Sequence, residues 1–180
     1  MKNVITKLFS LAAVMMISLF SVAFAQNITG KSVKITVGGT STLHAWTMTS
    51  SSANFSGTVS GNSITNAKFS TTAKTLKSEK GKMMDNKAYD ALKADKNPTI
   101  SFSATSLAVG KGTTTGRLTI AGVTKNVSFP VTVTKKGEVY EISGVAKLRM
   151  SDFGMKPPTF MGAVKTGNDV TVSVNIVASK

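Results

Sequence analysis

The chain has 180 residues, 22 of them lysine or arginine against 8 acidic ones, for a formal net charge of +14, and it contains no cysteine. Without cysteine there can be no disulfide, no thiol catalysis and no lipid attached at a cysteine beside a leader cleavage site. Arg117 and Arg149 are the only arginines, so nucleic acid, whose readout leans on bidentate arginine contacts, is not expected as a partner.

The chain opens with the three parts of an export signal. Lys2 and Lys7 give a positive start, LFSLAAVMMISLFSVAFA from Leu8 gives the apolar segment, and Ala23-Phe24-Ala25 gives the small-x-small pattern that signal peptidase accepts. The competing reading is an uncleaved anchor, because the apolar run approaches the length of a bilayer span. The small residues and the polar QNITG that follows favour cleavage, with Gln26 as the mature N-terminus. Residues 1–25 are therefore expected to be a signal peptide and residues 26–180 a single domain, placed in the periplasm or secreted. Loss of Lys2 and Lys7 leaves 20 basic residues against 8 acidic ones, or +12. Such a surface is expected to attract anionic lipid headgroups, envelope polymers or acidic partners.

Beyond Gln26 the sequence alternates with a period of two, as strands with one buried face do. Val33, Ile35 and Val37 form one run, and Phe55, Gly57 and Val59 another. Further on come Ile100, Phe102 and Ala104, then Leu118 and Ile120, then Val127, Phe129, Val131 and Val133. Val170, Val172, Val174 and Ile176 form the last and clearest run. Turn signals are read at Gly38-Gly39, Gly61-Asn62, Gly110-Lys111-Gly112, Lys136-Gly137 and Gly167-Asn168. The pattern predicts an all-β antiparallel barrel or sandwich of roughly eight to nine strands; periodicity alone does not choose between them.

One segment departs from this rhythm. GKMMDNKAYDALKADK, from Gly81 to Lys96, places Met84, Ala88, Ala91 and Leu92 on one helical face, and Pro98 prevents continuation. One helix is expected, over about Met83 to Ala94. The loop from Ser151 to Gly167 is also unusual. It carries Phe153, Met155, Phe160 and Met161 in a Pro/Gly-rich connection, where so much apolar surface should not all face water. These side chains either plug one end of the domain or fringe an entrance.

Catalysis finds little support. His44 is the only histidine and there is no G-x-S-x-G elbow, so no catalytic residue, metal site or cofactor is expected and the protein is not read as an enzyme. In LHAWTM, alternation puts His44, Trp46 and Met48 on one face, either as core or as part of a pocket wall.

The mature chain resembles the YceI-like lipid/polyisoprenoid-binding proteins over nearly its whole length. The resemblance rests on STLHAWTM with its His44, on FSGTV, on RLTIAGVTKNVSFPV from Arg117 and on MSDFGMKPP from Met150. The block LKSEKGKMMDNKAYDALKADKNPTISFSAT adds the family's order of helix, then N-P, then an I-x-F strand. Before the helix this chain has Gly81-Lys82-Met83-Met84-Asp85 where many members carry an R-D-x-H-L-R-like cluster; if that cluster handles a headgroup, the ligand here differs. The resemblance implies a lipocalin-like antiparallel β-barrel with one associated α-helix. The interior would hold an isoprenoid or other amphiphilic lipid as ligand, with no other cofactor. On that reading the candidate ligand contacts are His44, Trp46, Met48, Phe69, Met84, Tyr89, Leu92, Phe102, Phe129, Phe153 and Phe160. The alternative is a structural or interaction protein of the cell envelope that docks on an anionic surface through its lysines.

Overall fold

Strong alternation over long runs commits this chain to strands, and a computed structural model describes residues 25–160 and 162–180. The expected leader lies outside the described residues except for Ala25, and Met161 of the apolar loop lies outside them too. The strands are β1 (Gln26–Ser41), β2 (Ala45–Ser50), β3 (Ala53–Ser60), β4 (Ser63–Thr72), β5 (Lys77–Ser78) and β6 (Thr99–Ala108). They continue with β7 (Gly110–Ile120), β8 (Val123–Lys136), β9 (Val139–Arg149), β10 (Thr159–Phe160) and β11 (Val164–Ser179). Helix α1 (Lys82–Ala91) lies between β5 and β6.

The strand order β1-β3-β4-β6-β7-β8-β9-β11 closes on itself through a β1–β11 ladder, which makes an eight-stranded antiparallel barrel. In that ladder Val33 faces Ile176, Ile35 faces Val174 and Val37 faces Val172, so the inward rows of the two terminal strands meet side by side. Closure removes the open sheet edges that a sandwich would have to protect. The stave beside β1 is broken. β3 pairs with its first residues (Ile28 opposite Gly57), whereas β2 pairs with its second half (Val37 opposite Met48), with Ser51 and Ser52 at the break. β5 extends the sheet beyond β2, and β10 pairs with β11.

Three predicted turns are in fact strand. Gly38-Gly39 lies within β1, Gly167-Asn168 lies within β11, and Gly110-Lys111-Gly112 makes up the first residues of β7. In the first two, glycine serves close approach: a Cβ at Gly39 would fall inside the Trp46 indole, and one at Gly167 would sit 2.7 Å from Thr40 Oγ1. The β7–β8 hairpin instead turns at Ala121-Gly122, both with positive φ, the mirror-image turn whose twist suits a two-residue hairpin.

Helix α1 ends three residues before the predicted Ala94. Lys93 adopts the left-handed conformation, Ala94 N–H donates to the Tyr89 carbonyl at 2.9 Å and Lys93 N–H donates to the Asp90 carbonyl at 3.0 Å. This is a Schellman ending with a lysine in the position that favours glycine, so the residue pattern did not announce it.

Most of the buried apolar residues fall into two groups. One fills the barrel end near the β3–β4 and β8–β9 turns, with Ile28, Ile64, Val133, Tyr140 and Ala178 each no more than 3% exposed. The other lies at the opposite end, where Ile35 and Met48 of the wall meet Ala73, Leu76, Leu92 and Ala94 from the connection that carries α1.

Candidate functional site

Between the filled end and the helix the barrel is hollow. Its cavity measures about 220 Å³. The change from filled to hollow can be followed along single strands. On β9, Tyr140 belongs to the packed end, while Ile142, Gly144, Ala146 and Leu148 line the cavity. On β11, Ala178 is packed, and Ile176, Val174, Val172 and Val170 line it. Helix α1 contributes Met84, Ala88 and Ala91, and Leu92 at its C-cap completes the face the spacing predicted. The connection after β9 contributes Phe153, Met155, Pro158 and Phe160. The apolar loop thus stands at the helix end of the cavity and supplies part of its wall.

The wall is almost wholly hydrocarbon. Lys68, Lys87 and Arg149 are the charged residues along it, and all three are exposed to solvent. A cavity of ~150 Å³ lined by apolar side chains stays dry and holds a benzene-sized molecule. By that measure this one takes roughly nine carbon atoms without rearrangement. Met48, Met84 and Met155 lie on its wall, and unbranched thioether side chains re-pack readily around a longer irregular chain.

Glycines shape the wall as much as aromatics do. A Cβ at Gly116 would run into the Phe102 ring and the Ser103 carbonyl, and one at Gly144 would lie 3.1 Å from Phe129 Cε2. The two phenylalanine rings sit 5.2 Å apart, tilted by 53°. At the helix end Trp46, half-buried, lies over Gly39 and donates its indole N–H to the Thr40 carbonyl at 3.0 Å.

Of the eleven predicted ligand contacts, Trp46, Met48, Phe69, Met84, Leu92, Phe102, Phe129, Phe153 and Phe160 line this cavity. His44 does not. It is exposed in the β1–β2 turn, where its N–H donates to Ser41 Oγ and its Nδ1 lies 2.8 Å from the Ala45 carbonyl. Alternation misplaced it because β2 begins only at Ala45. Tyr89 is also outside the wall and serves as an anchor. Its hydroxyl lies 2.9 Å from both the Lys74 and the Leu76 carbonyls, and accepts from Lys77 Nζ at 2.7 Å.

That hydrogen bond, helped by the nearby Asp85, holds the Lys77 ammonium above the usual lysine range. Its contribution to stability is therefore fully present below the ordinary lysine pKa and is lost as pH rises through the raised one. Asp85, 6% exposed, holds the start of α1: Oδ1 accepts the Ser78 N–H at 2.7 Å, and Oδ2 pairs with Lys77 at 3.5 Å. Asp85→Ala leaves that N–H unpaired and should cost about 2 kcal/mol, a fall in Tm of about 6 °C. Amide exchange should speed up in α1 first.

Sequence reasoning missed the small residues of the barrel wall. Ala146, Gly144 and Thr114 carry no apolar bulk, and only the closed topology shows that they face the void.

The chain matches the YceI-like domain over residues 20–178. No curated protein sequence matches it at a significant level. The structure resembles the crystal structure of BcnA from Burkholderia cenocepacia (TM-score 0.67, 18% identity, covering 81% of this chain and 95% of that one). It also resembles a polyisoprenoid binding domain from Saccharophagus degradans, implicated in plant cell wall breakdown (TM-score 0.67, 10% identity, 84% and 97% coverage). A YCEI protein of Campylobacter jejuni is similar over 65% of this chain and 73% of its own, at 22% identity and a TM-score of 0.54. Identities this low establish a shared fold.

Proposed function

We propose, given that the chain belongs to the YceI-like domain family, that it is an exported binding protein that holds an isoprenoid or other amphiphilic lipid in its barrel. The observation that carries this reading is the hydrocarbon-walled cavity beneath α1, which offers an apolar chain burial and offers a polar substrate almost nothing. Each ~100 Å² of apolar ligand surface buried there contributes about 2.5 kcal/mol, so a chain binds without a dedicated polar motif. The Saccharophagus domain of the same fold is described as polyisoprenoid binding, which supports the same ligand class here. The lysines, the apolar run and the small-x-small pattern before Gln26 support export. N-terminal sequencing of the protein recovered from outside the cytoplasm should begin at Gln26; recovery of intact Met1 in the membrane fraction would instead establish an anchor.

The test of the ligand is native mass spectrometry of the protein purified from an envelope fraction, with solvent extraction of what co-purifies. The expected result is a bound species that survives high salt and is recovered as an apolar chain. Protein without any lipid, and with no uptake from added chains, defeats the reading. Attachment to anionic vesicles that disappears with salt and ignores chain length would favour docking through the lysine surface.

A further inference from the structure

Of the threonines that line the cavity, Thr71, Thr114 and Thr166, only Thr114 has a hydroxyl that is both buried and unpartnered. Thr114 of β7 shares the inward face with Leu118 and Ile120, is 3% exposed and lines the cavity. Among the described residues its Oγ1 is the one buried side-chain oxygen or nitrogen with no hydrogen-bond partner. Thr71 also lines the cavity, but its hydroxyl donates to the Ser52 carbonyl at 2.8 Å.

Neither neighbouring strand offers Thr114 a partner. Across β8 it faces Phe129. On the other side the β6–β7 ladder stops at Ala104 opposite Gly116, so no β6 residue is paired with it. An unpaired buried hydroxyl costs free energy in the empty protein and returns it to any molecule that brings a complementary group.

We infer that Thr114 is the polar anchor at the bottom of the cavity, and that the ligand enters led by an uncharged hydrogen-bonding group such as a hydroxyl or carbonyl, with its apolar tail toward Trp46 and α1. The inference rests on the reading of the cavity as a chain-binding site and specifies the ligand's orientation and head. The head is uncharged because the charged residues of the wall are all solvent-exposed. A buried ionic group with no countercharge would carry a desolvation penalty that one hydroxyl does not offset.

Trp46 is the only tryptophan of the chain and lines the cavity, so it reports binding directly. The experiment titrates wild type and Thr114→Val with 10-bromodecan-1-ol and with 1-bromodecane, following bromine quenching of Trp46. The expected result is about tenfold weaker binding of the alcohol to Thr114→Val, with bromodecane bound equally well or more tightly. The Tm of the variant should be unchanged or higher, because a hydroxyl without a partner has been removed. Equal affinity of the alcohol for both proteins, or a lower Tm in the variant, overturns the anchor while leaving the chain-binding cavity intact. If neither compound binds wild type, the chain-binding reading itself fails and the anchor with it.

Discussion

Replacing Ile64 by alanine should lower stability by about 3–4 kcal/mol and leave ligand binding untouched. Ile64 is fully buried (0% exposed) in the filled end of the barrel, paired with Val59 on one side and Leu107 on the other. Its Cγ2 lies where a Cβ on Gly57 would be 2.5 Å away, so the isoleucine occupies the space that glycine leaves open. A closed barrel cannot collapse around a deleted side chain as a loop can, so the cost includes most of the cavity created as well as the lost transfer energy. For a domain of about 155 residues this corresponds to a fall in Tm of about 10 °C, measurable by calorimetry. Because Ile64 is absent from the cavity wall, bromodecane affinity well below the transition should match wild type. A matching loss of affinity would show that the two halves of the barrel are energetically coupled.

The opposite separation is expected at Ala146→Phe. Ala146 faces the hollow half from β9, opposite Val172, and is small enough to leave the void open. A phenyl ring there projects into the 220 Å³ that a chain would occupy. Displacing ~100–150 Å² of apolar ligand contact removes about 3–4 kcal/mol of binding, a loss of more than a hundredfold. Stability should hold or rise, since the ring fills empty apolar space. Val145→Ser is the control: Val145 is 43% exposed on the outer face of the same strand, and its change should alter neither binding nor Tm by a measurable amount. Loss of binding in both variants would place the ligand outside the barrel.

The strands were legible because each depends on a local rule. Val170 to Ile176 and Val127 to Val133 read as one-sided strands without any knowledge of their neighbours. The helical face Met84, Ala88, Ala91 and Leu92 was equally plain, since a period of 3.6 differs from everything around it. Where local rules conflicted with packing, they failed. Gly38-Gly39 reads as a turn from composition alone. It is strand because the Trp46 indole needs the space above Gly39, and the two residues meet through the β1–β2 pairing. His44 failed for a related reason: one residue of uncertainty in where β2 starts decides whether a side chain enters the pocket wall or the turn.

The sequence by itself determined an all-β domain with a single amphipathic helix, the inward row of most strands, and the family it resembles. Tertiary structure alone decided that β1 and β11 close the sheet, that one end of the barrel is filled and the other hollow, and that Thr114 stands unpaired at the bottom of the hollow. The physical reason is the range of the interactions. Which face a residue takes follows from its two neighbours in sequence, but a void is what remains after eight strands from the whole chain have been placed. No residue carries a mark of the space it leaves empty.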